Sequence, residues 1–243
     1  MNTAIATIGL PQLALCFIPV AITLIVFYRW SMSTANALYA LSRMLLQLLL
    51  IGYVLAYIFE ANSSVLVILV LLVMLLSSGW IALGPVDGER KSLLLYSLLA
   101  IATGGGVTLL VVTQFVLVLK PWHQASYMIP LAGMAFANAM TAVSLAGERL
   151  YAELDHQCSW VDARHTAFQA AMIPVINSLF AVGLVSLPGM MTGQILSGVP
   201  PEVAVRYQIM VMCMIFAAAA LSTAVFLSLA GRLSNPETQV GSS

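Results

Sequence analysis

The chain has 243 residues, of which 61% are hydrophobic and 7% are charged, and its formal net charge is +0. Soluble domains carry about 25% charged residues, so this composition excludes an ordinary water-soluble fold. The neutral balance also argues against a nucleic-acid partner, which needs a basic face. We therefore predict an all-α, polytopic membrane protein surrounded by the lipid bilayer. Three cysteines without a spacing motif imply no disulfide framework.

Seven apolar runs follow one another along the chain, each close to the roughly 20 residues that a transmembrane helix needs. No basic residue precedes the first run, which excludes the usual pattern of a cleaved signal peptide. The predicted spans are residues 8–28, 37–59, 64–83, 93–119, 127–147, 166–187 and 203–231. We assign 1–231 to a single transmembrane domain and 232–243 to a polar C-terminal tail that we expect to be disordered.

Basic residues in the predicted connections set the expected orientation, because cytoplasmic loops carry the excess of Lys and Arg. The connections after odd-numbered spans contain Arg29, Arg90, Lys91, Arg149, Arg164 and Arg232, whereas those after even-numbered spans contain Lys120 and Arg206. This asymmetry predicts about seven spans with the N-terminus outside and the C-terminus in the cytoplasm. The polar segment 148–165 would then be cytoplasmic.

Residues 184–203, here called the Pro-Gly segment, interrupt the apolar pattern between the last two spans. The segment contains three prolines and three glycines but remains rich in apolar side chains. Proline prevents a continuous long helix, while Gly189 and Gly193, four residues apart, would allow two helices to approach closely. Two interpretations remain open: a tightly packed, re-entrant segment beside a transport path, or a compact turn between two spans.

Polar side chains inside predicted spans are costly and often functional. Arg43 and Gln47 share one helix face, and Arg43 either reaches the membrane surface or contributes to a path. Asn138 would bridge helices or line a path. Asn177 follows Pro174 by three residues and is expected to satisfy the carbonyl that proline frees. The candidate residues for transport or helix packing are Arg43, Gln47, Asn138, Asn177, Gly189, Met190, Met191, Gly193 and Gln208.

Two groups of side chains raise the question of metal binding, and no metal ligand is assigned from either. Methionine thioethers suit soft metals, but methionine also fills gaps in apolar packing; the candidates are Met190, Met191, Met210, Met212 and Met214. The polar segment offers Asp155, His156, Cys158, Asp162 and His165, which match no structural-zinc spacing and fit a solvated loop equally well.

Nothing in the chain predicts catalysis. The sequence has no P-loop, no dinucleotide fingerprint and no nucleophile with a matched base. We expect a transport subunit rather than an enzyme. It would bind no cofactor itself, and any ATP would be bound and hydrolysed on a partner chain.

Four stretches carry a resemblance to a known family. They are residues 43–59 (RMLLQLLLIGYVLAYIF), 104–109 (GGGVTL), 129–143 (IPLAGMAFANAMTAV), and 182–193 (VGLVSLPGMMTG) followed by 207–211 (YQIMV). In these stretches the chain resembles the bacterial FetB (YbbM, UPF0014) family of ABC-transporter permeases, to which iron export is attributed. Plant aluminium-tolerance membrane proteins are relatives of that family.

The resemblance implies a permease subunit of the bacterial inner membrane that forms a homodimer and pairs with a separate ABC ATPase. It also implies export of iron or a related metal species, or of a sugar nucleotide in the plant relatives. Two alternatives remain: an ATPase-free channel or carrier for a metal or small solute, and a membrane partner subunit that does not itself transport.

The chain departs from the family pattern in two places. Residues 148–165 form a shorter cytoplasmic segment without the L-G-A of the family's coupling helix, and residues 177–180 read N-S-L-F where the family shows D-S-x-K. Contacts with an ATPase would fall on Arg149, Leu150, Leu154, Trp160 and Arg164. Trp160 is the expected principal anchor, because aromatic residues dominate interface energetics.

Overall fold

The computed structural model describes residues 8–61, 63–86 and 90–234, which form nine α-helices and one π-helical turn. The elements are α1 (Leu10–Leu15), α2 (Phe17–Arg29), α3 (Thr34–Ala61), α4 (Ser64–Ala82), α5 (Arg90–Leu110), the π-helical turn (Val111–Val116), α6 (Ala125–Asp155), α7 (Trp160–Ala181), α8 (Gly189–Leu196) and α9 (Pro201–Ser234). Most of the predicted polar tail, residues 235–243, lies outside the described residues.

Six helical stretches in the described chain are long and apolar enough to cross a membrane. They are Leu10–Arg29, Thr34–Glu60, Ser64–Ala82, Arg90–Val116, Ala125–Asp155 and Pro201–Gly231. A helix satisfies all its backbone hydrogen bonds internally, which is the requirement for spanning lipid. The prediction of an all-helical, multi-pass membrane protein is confirmed. The seventh span stays a prediction, because polar side chains lower the hydropathy of α7 below that of the six. The orientation also stays a prediction.

The chain divides into two compact units, and the first comprises α1, α2 and α3. Pro11 occupies the first turn of α1, where its missing N–H is tolerated. A turn at Cys16 separates α1 from α2. Arg43 and Gln47 both lie on α3 and are exposed, four residues apart as the sequence indicated. Arg43 remains a candidate for either interpretation given above, and Gln47 remains a candidate for transport or helix packing.

The second unit is a helical bundle in which α9 packs against α5, α6, α7 and α8, while α4 packs against α5 and α6. Small side chains fill its core. Five of the buried alanines on α6 are Ala132, Ala135, Ala139, Ala142 and Ala146. Their spacing of three and four residues keeps them on one face of the helix, and small side chains on that face let neighbouring backbones approach closely.

Two glycines, Gly104 and Gly79, mark the tightest approaches in this bundle. A Cβ added at Gly104 would lie 2.9 Å from Ser222 Cα, and one added at Gly79 would lie 2.9 Å from Leu98 Cγ. The Ser97 hydroxyl donates to the Gly79 carbonyl at 3.1 Å, which ties α5 to α4. Glycine at these positions therefore allows the helices to pack nearly backbone to backbone.

Most of the polar segment 148–165 is helical rather than a solvated loop. Helix α6 continues to Asp155, supported by an ion pair between Arg149 and Glu153 one turn apart. Only residues 156–159 connect it to α7. Ser159 caps α7: its Oγ accepts from the Asp162 backbone N–H at 3.2 Å and donates to the Asp162 carboxylate at 2.6 Å.

Helix α7 ends at Ala181, six residues before the predicted end of the sixth span. Gly183 has φ +83°, and its N–H donates to the Ser186 carbonyl at 2.9 Å, so the chain turns sharply here. Glycine adopts this left-handed conformation without strain. Leu184 lies at the tip of the turn and is 91% exposed.

The Pro-Gly segment contains the eight-residue helix α8. At 1.5 Å per residue α8 is about 12 Å long, too short to cross a hydrocarbon core of about 30 Å. Gly189 and Gly193 do not mediate close packing in the described chain, because a Cβ added at either would meet nothing within 4 Å. Their proposed role in close helix packing stays a prediction, while the close approaches within the chain lie at Gly104 and Gly79.

Candidate functional site: a cavity beside the Pro-Gly segment

A cavity of about 360 Å³ lies between the end of α7, the Pro-Gly segment and the first half of α9. We call it the α7–α9 cavity. Its walls are mainly apolar and include Leu179, Leu187, Pro188, Ile209 and Phe216. The volume falls within the range of about 300–1,000 Å³ typical of small-molecule sites, which are mostly apolar with a few placed polar groups.

Gln208 supplies the main polar group of the α7–α9 cavity. It lies seven residues into α9 after Pro201, lines the cavity and is 6% exposed. Its Oε1 atom is buried and has no hydrogen-bond partner among the described residues. An unsatisfied buried acceptor costs about 1–3 kcal/mol, and such groups are rare enough in native proteins that each calls for a reason.

A second cavity of about 410 Å³ lies between α5, the π-helical turn and α9. We call it the α5–α9 cavity; Thr108, Val111, Met210 and Met214 contribute to its wall. Cys213 lines both cavities. The π-helical turn forms part of this wall, and single π-turns occur frequently at functional sites.

Four of the five methionines singled out for soft-metal binding line these cavities. Met191 and Met212 border the α7–α9 cavity, whereas Met210 and Met214 border the α5–α9 cavity. Met190 lies on α8 and borders neither. The thioethers are therefore divided between two apolar spaces, an arrangement that gap-filling also explains.

The two asparagines predicted as candidates for transport or helix packing have different surroundings in the structure. Asn138 is half-buried, donates to a carbonyl one turn earlier in α6 at 2.8 Å and lines a cavity of about 100 Å³ between α6 and α7. Asn177 is exposed, and its side chain makes no hydrogen bond to the described chain. The expectation that Asn177 satisfies a carbonyl near Pro174 is therefore wrong for this conformation; the nearby Ser178 hydroxyl instead donates to the Val175 carbonyl at 2.7 Å.

Two of the residues predicted to contact an ATPase are engaged inside the bundle instead. Leu150 is 1% exposed and faces the core. Trp160 packs against α9: a Cβ added at Gly231 would lie 2.6 Å from its Cζ2 atom. The expectation of exposed anchors at these two positions is wrong, because both side chains already have partners in the same chain. Leu154 is half-buried, while Arg149 and Arg164 remain exposed.

A groove of about 410 Å³ lies between the start of α7 and the last half of α9. Asp162, Arg164 and His165 give it a charged edge, and Phe168 and Leu227 give it an apolar floor. We call it the α7 groove. Arg164 has no ion-pair partner within residues 8–61, 63–86 and 90–234, so its charge is free for an external partner.

The metal-capable side chains of the polar segment do not gather into a site. Nowhere in the described part of the chain do three His, Cys, Asp or Glu side chains come close enough to share an ion. Cys158 is exposed, and its thiol donates to the Glu153 carboxylate at 3.2 Å. That hydrogen bond, with the negative charge of Glu153, raises the pKa of Cys158 above the usual thiol range.

One face of α9 forms much of the wall of the α7–α9 cavity. The helical spacing of the residues on this face is visible in the sequence and is the signal that could have identified it. The face comprises Val205, Gln208, Ile209, Met212, Cys213 and Phe216. These positions repeat at intervals of three and one, as one face of an α-helix does. Gln208 was predicted as a candidate, but Cys213 was not, because an isolated cysteine in an apolar run resembles core packing.

Helices long enough to span a bilayer, surrounding apolar cavities, define the class as a multi-pass α-helical membrane protein. The chain belongs to the Uncharacterised protein family (UPF0014), whose model matches residues 10–164 and 157–233. The two matches overlap at residues 157–164, in the connection between α6 and α7 and the start of α7.

Several relatives share a third of their residues with this chain. It is 34% identical over 233 residues to the probable iron export permease protein FetB of Escherichia coli, covering 88% of this chain and 87% of that protein. It is 35% identical over 207 residues to the UPF0014 membrane protein slr1647 of Synechocystis, covering 78% and 79%. It is 32% identical over 237 residues to protein ALUMINUM SENSITIVE 3 of Arabidopsis thaliana, covering 88% and 83%. No solved structure matches.

Proposed function

We propose that this chain is the membrane-spanning permease subunit of an ABC transporter that exports iron or a related metal species across a bacterial inner membrane. The observation that carries the proposal is its 34% identity, over 88% of the chain, to the protein named probable iron export permease FetB. In this proposal a separate subunit binds and hydrolyses ATP, and this chain provides the path.

The lengths of the helices support a seven-span topology. Helix α7 has 22 residues, which at 1.5 Å per residue is about 33 Å and matches a hydrocarbon core of about 30 Å. It packs against α6 and α9 as a member of the same bundle. With α7 as the sixth crossing, the proposed cytoplasmic C-terminus places the α7 groove at the cytoplasmic surface and the α7–α9 cavity toward the outside.

The proposed assembly is a homodimer with two ATPase subunits. The second unit is a single bundle without an evident internal repeat, so two copies would be needed to enclose a path between equivalent halves. An ATPase can drive transport only through contacts that differ between its own states. With Leu150 and Trp160 engaged inside the bundle, we propose the α7 groove, with Arg164 at its edge, as the principal coupling surface.

One observation favours a second candidate function, an ATPase-free carrier that uses the same helices. The connection between α6 and α7 is four residues long, 156–159. Of the residues expected to face a partner, Leu150 is buried in its own chain and Trp160 is half-buried against α9. A surface this small leaves little room for a coupling helix. This carrier would move its solute down a gradient and would not depend on ATP.

Purification of the tagged full-length chain from native membranes separates the two candidates. The permease proposal predicts that a cassette ATPase co-purifies and that its hydrolysis rate changes with Fe²⁺ or Fe³⁺. Arg164→Glu should reduce the amount of ATPase recovered by about tenfold, because charge reversal at a complementary contact costs affinity.

Arg206→Glu is the matched control, since Arg206 is an exposed arginine on the opposite side of the membrane in the proposed topology. It should leave ATPase recovery unchanged. Iron transport into inverted vesicles without ATP, and without any ATPase in the preparation, would support the carrier and contradict the permease. Equal losses for the two arginine variants would remove the α7 groove as the coupling surface.

A further inference from the structure

The lining of the α7–α9 cavity is unsuited to the proposed metal cargo. None of its lining residues is Asp, Glu, Lys, Arg or His, and apolar side chains predominate. Iron ions favour carboxylate, imidazole or thiolate ligands, and an unpaired charge in apolar surroundings is strongly disfavoured. The cavity therefore fits a neutral, hydrophobic occupant better than an ion.

The single unsatisfied acceptor in the wall specifies what that occupant must bring. Gln208 Oε1 is sealed from solvent and has no donor in the described chain, so bulk water does not satisfy it in this conformation. The terminal torsion of a glutamine side chain is soft and broadly populated. The proposed site requires a rotation about this torsion that brings Oε1 to face the cavity that the same residue lines, where a donor group on a ligand would satisfy it.

We propose that the α7–α9 cavity is a binding site for a neutral hydrophobic molecule that carries one hydrogen-bond donor, such as a hydroxyl or N–H group, which Gln208 Oε1 accepts. The apolar body fills the space between Leu187, Ile209 and Phe216. This molecule is distinct from the exported metal, and its binding requires neither the ATPase nor iron. The site thus adds a lipophilic ligand to the proposed function without depending on it.

Cys213 provides a local readout, because it lines this cavity and is exposed. Replacing the other two cysteines, Cys16→Ser and Cys158→Ser, leaves Cys213 as the only thiol among the three in the chain. The full-length protein in detergent is treated with N-ethylmaleimide, and modification is followed by intact mass. The probes are 4-hexylphenol and its methyl ether 4-hexylanisole, which differ in the donor.

We expect 4-hexylphenol to slow the modification of Cys213 at concentrations about tenfold lower than 4-hexylanisole does, because a buried acceptor left unpaired penalises the ether. The ether is the more hydrophobic of the two, so simple partitioning into detergent would give the opposite order. In the Gln208→Leu variant the two probes should protect equally. This variant removes an unsatisfied buried group, so it is expected to fold at least as well as the parent.

Gln194→Leu is the matched control. Its Oε1 atom is also buried and unpartnered in the described chain, but Gln194 does not line the cavity, so this variant should keep the preference for the phenol. Equal protection by the two probes in the parent protein would overturn the proposal. A preference that persists in Gln208→Leu, or no protection of Cys213 by either probe, would also overturn it.

Discussion

Replacing Gly104 by alanine tests whether the contact between α5 and α9 holds the second unit together. The added Cβ would lie 2.9 Å from Ser222 Cα, whereas carbon atoms in ordinary contact lie about 3.5–4.0 Å apart. Ser222 Oγ and the Ser222 backbone N would lie closer still. A rotamer change can move only the hydroxyl, so the overlap with the backbone remains and α9 must move by at least about 0.6–1.1 Å. Overpacking of this kind costs about 1–3 kcal/mol.

The matched control is Gly106→Ala, two residues along the same helix. A Cβ at Gly106 would meet nothing within 4 Å, and alanine in a helix interior is favoured over glycine by about 0.5–1 kcal/mol. Since this gain applies equally to Gly104→Ala in the same helix, the two variants should differ in free energy of unfolding by the overpacking cost alone, about 1–3 kcal/mol, measured by dodecyl sulfate titration in mixed micelles. Equal stabilities would refute the argument that backbone contact at Gly104 organises the bundle.

Two further predictions follow from the connection between α6 and α7. Cys158 should resist a membrane-impermeant thiol reagent in intact cells and react in inverted vesicles, and labelling from outside would reverse the proposed topology. Hydrogen bonding to Glu153 raises the pKa of Cys158, so its thiolate forms at higher pH than usual. The Glu153→Gln variant should therefore be labelled faster near pH 8. Trp160→Ala should lower the thermal stability, because loss of a half-buried ring from the α9 surface costs about 2 kcal/mol of unfolding free energy. A variant as stable as the wild type would restore Trp160 as a candidate anchor for a partner.

The positions of the helices were predictable because apolar runs of about 20 residues report burial in lipid directly. The residues at which the helices end were less predictable. Charges at Glu148 and Arg149 suggested a loop, but the pairing of Arg149 with Glu153 one turn on is equally compatible with a helix. The early end of α7 depends on Gly183 with φ +83°, and the sequence of an apolar run does not predict which backbone dihedral angles its glycine adopts.

The site was only partly predictable for a related reason. A polar residue in a span identifies a candidate, so Gln208 could be named from the sequence. That its amide oxygen is unpartnered, and that the residue lines a cavity, depends on how α7 and the Pro-Gly segment pack beside α9, which the sequence does not show. Likewise, Gly189 and Gly104 present the same residue type, and only the structure shows which one faces a neighbouring backbone.

The central position of α9 has a consequence for how the protein is made. Gly104 and Ser222 are separated by about 120 residues of chain, which at a translation rate of about 5–20 residues per second is roughly 6–24 s of synthesis. During that interval α5 has entered the membrane without the helix that will cover Gly104. The small-residue faces of α5 and α6 are therefore exposed to lipid and to chaperones until α9 emerges, and the bundle closes in a late step of biogenesis.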